Sequence, residues 1–552
     1  MMRKLLIYFL VSICSMSDSL GQTRDYFIGF TDRANSTYSL QQPLQFLSQR
    51  ALDRRLRQNI PLSDNDLPVN VNYLSAVSAT GALVVTPVKW FNGVIVRCDS
   101  SILSSVQALP FVNQSTPVKR TGSQKIRKDL DGLPPERIDH ALLRAQSLDY
   151  GAGYRQIHQL NGDFLHNQGF AGQGMLIAAI DAGFNSLDTI SAFDDLRSNN
   201  GIVATWDFVE GNASVYEDDA HGTSVLSCMG ANTPGQMIGT APQAAYMLLR
   251  SEDANSEYIV EEYFWAVAAA YADSAGADII TSSLGYSEFD DPSMNHTYAE
   301  LDGHTCPAAI AGNAAASKGM LVLVSAGNSG SSLWHYILTP SDADSVLAVG
   351  AVDSSGYMAS FSSWGPASDG DIKPNVAAMG RRTAIVYSDG SYTTGNGTSF
   401  SCPVLAGAAA CLWQAHSSKS NMEVFHAIEE SASYYTNPGD SLGYGIPDFY
   451  AAHLKLGGNE LEMAEADNLL GVSPNPFNDQ LTLQYYAATG HSLEVTLRDL
   501  TGRICYADNF MVQGGTTRAL KTSLPASLPA GVYVVSAEHA GQQFVRKVVR
   551  IK

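Results

Sequence analysis

Met175-Leu176-Ile177-Ala178-Ala179-Ile180-Asp181-Ala182-Gly183 is the stretch that decides the fold. Six apolar residues in succession, ended by a carboxylate and a glycine, read as a strand buried on both faces whose carboxyl end opens into a turn. Three further runs match it. Asp278-Ile279-Ile280-Thr281-Ser282-Ser283-Leu284 follows a helical segment over residues 258–275, Met320-Leu321-Val322-Leu323-Val324 follows an Ala-rich helical segment, and Val346-Leu347-Ala348-Val349-Gly350 comes next. Buried runs alternating with helices predict an α/β unit, a mostly parallel sheet flanked by helices, over residues 146–457.

Outward from this body the chain divides further. Residues 23–145 carry a strand-like run, Tyr26-Phe27-Ile28-Gly29-Phe30, an amphipathic segment over residues 43–52, and strand candidates at Ala82-Leu83-Val84-Val85 and Gly93-Val94-Ile95-Val96. This predicts a small α+β unit. It ends in a polar stretch, residues 116–135, with Lys119, Arg120, Lys125, Arg127 and Lys128, expected to be exposed and open to cleavage. Residues 458–468 form an acidic linker with Glu460, Glu462, Glu465 and Asp467. Residues 469–552 alternate at period two in Leu481-Thr482-Leu483-Gln484-Tyr485 and Leu493-Glu494-Val495-Thr496-Leu497, which predicts a C-terminal β-sandwich. Residues 1–22 read as an export signal: Arg3 and Lys4, an apolar core from Leu5 to Cys14, then small and polar residues. That core is too short to span a bilayer, and Ile13 is bulkier than the small residue that precedes a lipidated cysteine.

The 552 residues carry 34 Lys plus Arg against 54 Asp plus Glu, a formal charge of −20. This disfavours phosphate-backbone binding and suits a secreted protein. The composition, 45% apolar and 16% charged, is globular. No later stretch is apolar enough to cross a membrane. The seven cysteines (Cys14, Cys98, Cys228, Cys306, Cys402, Cys411 and Cys505) show neither CxxC pairs nor metal-ligand spacing. They read as buried free thiols, with one disulfide left open and no pair chosen.

Four short motifs in the main body bear on chemistry. Asp181 ends the first strand, where functional groups gather in an open α/β sheet, although a lone Asp there also serves as a turn residue or cap. His221, in Asp218-Asp219-Ala220-His221-Gly222-Thr223-Ser224, falls in the first turn of a helix and is polarised by its dipole; alone it is equally a surface residue. Asn328, in Val324-Ser325-Ala326-Gly327-Asn328-Ser329-Gly330, sits on a Gly-flanked turn that can aim an amide into a cleft or simply be a turn. Ser399, in Asn396-Gly397-Thr398-Ser399-Phe400-Ser401-Cys402-Pro403, precedes an apolar helix. The local field there favours an attacking oxygen or an oxyanion; an ordinary N-cap is the plainer reading.

Taken together, in the order Asp, His, Asn, Ser, these motifs resemble those of the subtilisin-like serine proteases, the subtilases. Ser282-Ser283-Leu284-Gly285, Phe361-Ser362-Ser363-Trp364-Gly365-Pro366, Ile372-Lys373-Pro374-Asn375-Val376 and Gly443-Tyr444-Gly445-Ile446-Pro447 extend the resemblance over about 300 residues. It implies a subtilisin-like fold and a secreted serine endopeptidase that hydrolyses peptide bonds through an acyl-enzyme. Asp181, His221 and Ser399 would be catalytic and Asn328 would be the oxyanion donor. Ser283, Leu284, Gly285, Ser325, Ala326 and Gly327 would bind substrate. Departures are Ala182 where a Ser or Thr hydroxyl is usual, Ser224 where a second His is usual, and Phe400 and Cys402 beside the nucleophile. The first section resembles the propeptides of this clan, so the chain would be a zymogen. Residues 469–552 resemble the sorting domains of the type IX secretion pathway of Bacteroidota, marked by Val472-Ser473-Pro474-Asn475-Pro476-Phe477, Leu497-Arg498-Asp499-Leu500-Thr501-Gly502-Arg503 and Leu528-Pro529-Ala530-Gly531-Val532-Tyr533.

Expected partners are protein or peptide substrates and the type IX machinery, not nucleic acid. The expected route is Sec export and then outer-membrane translocation, with a monomeric product secreted or held at the cell surface. No cofactor is required. Structural calcium suits such a protein, but the pairs Asp194-Asp195 and Asp290-Asp291 form no recognisable ligand loop and read as solvated loop charges, so no metal ligand is assigned. The alternative function is an inactive subtilase scaffold used as a surface adhesin. A metallohydrolase is disfavoured because no His-Glu-x-x-His occurs, and an α/β-hydrolase because Ser399 lacks the Gly-x-Ser-x-Gly elbow.

Overall fold

The computed structural model describes residues 23–120, 148–458, 468–473, 477–487, 489–513, 516–525, 527–539 and 542–551. The export signal, Lys125, Arg127 and Lys128, all but the first and last residues of the acidic linker, and Pro474, Asn475 and Pro476 of the sorting motif lie outside these residues.

The N-terminal unit contains β1 (Arg24–Phe30), α1 (Gln49–Arg57), α2 (Val71–Ala79), β2 (Leu83–Val88), β3 (Gly93–Cys98), α3 (Ser100–Gln107) and β4 (Val112–Arg120). The strands form an antiparallel sheet in the order β2-β3-β1-β4. Period two divides its side chains. Tyr26, Ile28, Val94 and Val96 pack with Val77 and Val106 of the unit's own helices, whereas Phe27, Ile95 and Val118 join the core of the main body. The amphipathic segment differs from expectation. Pro43–Gln45 is a single 3-10 turn, and the helix starts only at Gln49, where the Ser48 side chain accepts from the Ala51 N–H and caps it. The polar stretch also differs, since its first five residues complete β4. Val118 there is fully buried, Lys119 pairs with Asp253 at 2.8 Å, and Arg120 pairs with Asp291 at 2.7 Å. Partners on the main body, invisible in the local sequence, order what composition marked as exposed.

In the main body, β5 (Leu176–Asp181), β6 (Ile202–Asp207), α4 (His221–Gly230), β7 (Ala245–Arg250), α5 (Val260–Ala275), β8 (Ile279–Ser282), α6 (Pro307–Ser317), β9 (Leu321–Ser325), β10 (Val346–Val352), β11 (Val376–Met379) and α7 (Thr398–Ala415) carry the architecture. The seven strands form one parallel sheet in the order β11-β10-β9-β8-β5-β7-β6. Ile177, Ala179, Ile279, Leu321 and Leu323 face α4 and α7, while Ala178, Ile180, Ile280, Val322 and Val324 face α5 and α6. Each fully buried Leu, Ile or Val contributes about 1.5–3 kcal/mol, which is why these runs show no polar alternation. Register then fixes function: Ser282 lies beside Ile180 on one side and Val324 on the other, so β5, β8 and β9 end at one level.

The C-terminal unit is a two-sheet antiparallel β domain. Strands β12 (Asn468–Ser473), β13 (Gln480–Ala487) and β16 (Thr516–Ser523) form one sheet, and β14 (His491–Asp499), β15 (Ile504–Val512), β17 (Gly531–His539) and β18 (Gln542–Arg550) the other. Leu481, Leu483, Tyr485, Leu493, Val495, Leu497 and Val535 fill the core between them.

Candidate active site

The site is assembled at the carboxyl edge of the sheet. Asp181, the last residue of β5, is fully buried. His221, the first residue of α4, directs Nδ1 at Asp181 Oδ1 over 2.7 Å, and because a carboxylate only accepts, Nδ1 carries the proton. Asp219 Oδ1 accepts from the His221 backbone N–H at 2.8 Å and fixes the start of the helix. The approach is close: a Cβ on Gly222 would lie 2.4 Å from the Gly183 carbonyl, which accepts from the Gly222 N–H at 3.0 Å. Only glycine permits this contact between the Asp and His motifs. Asp181 Oδ1 also accepts from the Ala182 N–H at 2.8 Å, while Oδ2 is buried with no hydrogen-bond partner. Ala182 supplies no hydroxyl to it.

Ser399 is the second residue of α7, not its cap; Gly397 holds that place at φ +155°. Its neighbour Phe400 has its ring centroid 6.2 Å from that of His221, which brings the helix start to the imidazole. Asn328 is oriented from the same turn. Its Oδ1 accepts from the Thr398 N–H at 2.9 Å and from Thr398 Oγ1 at 3.0 Å, so its NH₂ end is left to face the cleft. A Cβ on Gly397 would stand 3.5 Å from Asn328 Nδ2 and 3.7 Å from Ser399 Cβ, so both side chains border one point. Thr398 is the positioning residue that sequence reading passed over; its place between the Gly and the Ser was the available signal. Its Oγ1 also accepts from the Gly327 N–H at 3.2 Å.

Ser283 Oγ donates to the Ser399 carbonyl at 2.8 Å, which ties the end of β8 to α7. Among the described residues no backbone–backbone hydrogen bond reaches Ser283, Leu284 or Gly285. Ser325 ends β9. The Ala326 N–H donates to Val349, its carbonyl accepts from Leu338, and the Gly327 carbonyl accepts from Ser363. These backbone groups are occupied internally.

The acidic pairs are engaged elsewhere. Asp194 pairs with Arg197, and Asp195 accepts from Asn232 Nδ2. Asp290 accepts from the Glu257 N–H at 3.1 Å, while Asp291 caps a 3-10 turn and pairs with Arg120. Asp291 is thus buried and not a solvated loop charge. Cys98, Cys228, Cys306, Cys402, Cys411 and Cys505 are all free thiols, the first five buried.

Residues 172–446 match the subtilase family, residues 25–130 the Bacteroidota propeptide domain of S8 peptidases, and residues 471–552 the C-terminal sorting domain of a secretion system. Subtilisin E of Bacillus subtilis (strain 168) is 32% identical over 326 residues, 58% of this chain and 75% of that protein. The subtilisin of Bacillus pumilus is 32% identical over 305 residues, 54% of this chain and 96% of its own length. The chain belongs to the subtilase family. Subtilisin Savinase of Lederbergia lenta is a further relative, 30% identical over 302 residues, 54% of this chain and 96% of that protein. This subtilase is a subtilisin-like serine endopeptidase, made as a zymogen with its propeptide in place, and secreted to the cell surface by the type IX pathway. Among the described residues no helix is long and apolar enough to cross a membrane. Nothing in these matches supports an adhesin built on an inactive scaffold.

Proposed function

We propose that this subtilase cleaves peptide bonds through an acyl-enzyme, with Ser399 as nucleophile, His221 as general base and then general acid, and Asp181 holding the imidazole tautomer and stabilising its protonated form. What supports this is the 2.7 Å contact of His221 Nδ1 with Asp181, with the His221 ring centroid 6.2 Å from that of Phe400, the residue next to Ser399. Ser399 attacks the substrate carbonyl carbon and His221 takes the hydroxyl proton. The tetrahedral oxyanion is met by Asn328 Nδ2 and the Ser399 backbone N–H in the field of the α7 N-terminus. Collapse expels the amine, protonated by His221; water then attacks the ester by the same route. Ser283, Leu284 and Gly285 pair with extended substrate, and Ser325, Ala326 and Gly327 line the pocket beside it.

The domain assignment follows: signal 1–22, propeptide 23–145, catalytic domain 146–457, linker 458–468 and sorting domain 469–552. The protein is a monomer that passes through the Sec route to the periplasm, engages the type IX machinery through its last section, and loses that section at the surface. Catalysis requires no cofactor.

The test of the reaction is a fluorophosphonate probe applied after propeptide removal. Wild type labels and Ser399→Ala does not; equal labelling of both ends the assignment. For export, a chain truncated after Asn468 accumulates in the periplasm, and unchanged surface delivery refutes the sorting role.

A further inference from the structure

We propose that Glu262, His296 and Cys306 form a binding site for a divalent cation of the zinc class, remote from the proteolytic chemistry. Glu262 lies in the first turn of α5, His296 in the long connection that follows Ser283–Leu284–Gly285, and Cys306 immediately before α6. One carboxylate oxygen, one imidazole nitrogen and the sulfur all lie within 4.8 Å of one another. A tetrahedral zinc with bonds of about 2.0–2.3 Å holds its ligands about 3.3–3.8 Å apart, so side-chain adjustments of an ångström or less admit the ion. All three residues are buried, Glu262 and Cys306 completely.

The ion pair of Glu262 and His296 does not involve the sulfur beside it. Glu262 Oε1 meets His296 Nε2 at 2.5 Å and Oε2 accepts from the Ala308 N–H at 3.0 Å, so carboxylate and imidazole are already matched. Cys306 Sγ donates to the Glu300 carbonyl at 3.3 Å, and the Thr339 hydroxyl is a second polar neighbour. A second buried acid, Asp342, acts electrostatically on both His296 and Cys306, and its Oδ1 has no hydrogen-bond partner. Burial opposes the charge on His296, but the Glu262 carboxylate outweighs it and raises the imidazole's pKa. Burial, Glu262 and Asp342 push the Cys306 thiol up. Carboxylate, neutral imidazole and thiolate together balance the two charges of a zinc ion, leaving a neutral buried unit, with the protons that binding releases passing to solvent. The mixed N, O and S set selects zinc over calcium or magnesium, which take oxygen alone. With three protein ligands the ion pins α5, the connection and α6 together behind the segment that receives substrate.

The test uses the full chain with Ser399→Ala, stripped with a chelator and then given zinc chloride. One equivalent of zinc stays bound after desalting and Tm rises, and both effects are lost in His296→Ala and Cys306→Ser. Cobalt(II) in place of zinc gives a near-ultraviolet thiolate charge-transfer band that Cys306→Ser abolishes and Cys505→Ser, at the partly exposed cysteine, leaves intact. Zinc retention no better than in Cys306→Ser, or a cobalt complex without that band, overturns the site. Should His296→Ala fail to fold, Cys306→Ser, which nearly conserves volume, and the wild-type cobalt spectrum decide the matter.

Discussion

At the scale of single residues, the site depends on contacts that leave no slack. Asn328 is held by two bonds from Thr398 to its oxygen, which orients its nitrogen away from them, as the proposed oxyanion role requires. Asn328→Ala therefore lowers kcat by about 10²–10³-fold, the cost found for such a donor in this enzyme class, with little change in KM; steady-state kinetics on a peptide substrate measure it. Thr398→Val removes one of those bonds and the support of Gly327 while keeping the side chain's shape, and lowers kcat by a smaller factor without loss of propeptide binding. Gly222→Ala places a methyl 2.4 Å from the Gly183 carbonyl. Backbone cannot yield as a flexible side chain does, so the variant loses about 1–3 kcal/mol, read as a lowered Tm in the Ser399→Ala background.

At the scale of elements, the propeptide is held by buried charge as well as by apolar packing. Phe27 of β1 stacks on Tyr263 of α5 at 4.7 Å. Beside this, Arg54 and Arg55 of α1 and Lys89 all converge on Asp273, near the end of α5, and Arg55 and Lys318 share Asp66. Burial opposes the charge on Asp273, but Lys89, Arg54 and Arg55 outweigh it and bring its pKa down to about 2. A carboxyl so depressed lends its stabilisation above the ordinary value of 3.8, and that is lost as pH falls toward 2. Asp273→Asn leaves Arg54 and Lys89 without their anion and Arg55 with Asp66 alone, a loss of about 3–5 kcal/mol in the hold on the propeptide. The measurement is inhibition of the mature enzyme by added propeptide, whose Ki rises by at least 100-fold.

At the scale of the whole molecule, the acidic character of the chain reaches into its interior. Glu252, Glu257 and Glu261 bring carboxylates within 4.8 Å of one another near the carboxyl edge of the sheet. Burial first, and the neighbouring charge of Glu257 next, push Glu252 up to about 8 from 4.5, while Tyr286 donates to it. The sign is opposite to that of Asp273: stability is full below pH 4.5 and lost as pH rises through about 8. Glu252→Gln, which keeps an oxygen for Tyr286 and cannot ionise, flattens the fall in Tm between those limits. Equal slopes for the two proteins in a thermal series across that range defeat this account.

The sequence by itself determined what periodicity and local chemistry can encode. Continuous apolar runs specified buried parallel strands, alternation specified the C-terminal sheets, and the glycines flanking Asn328 marked a turn. Tertiary structure decided what depends on partners distant along the chain. Residues 116–120 became a strand because Asp253 and Asp291 receive their charges. Asp291 became a buried cap instead of a loop charge. Ser283 turned its hydroxyl to the Ser399 carbonyl, and Glu262, His296 and Cys306 gathered from three separate segments. The physical reason is the range of the forces: conformational preference acts over a few residues, whereas ion pairing, side-chain bonding and ligand geometry act through space and exist only once the chain has folded.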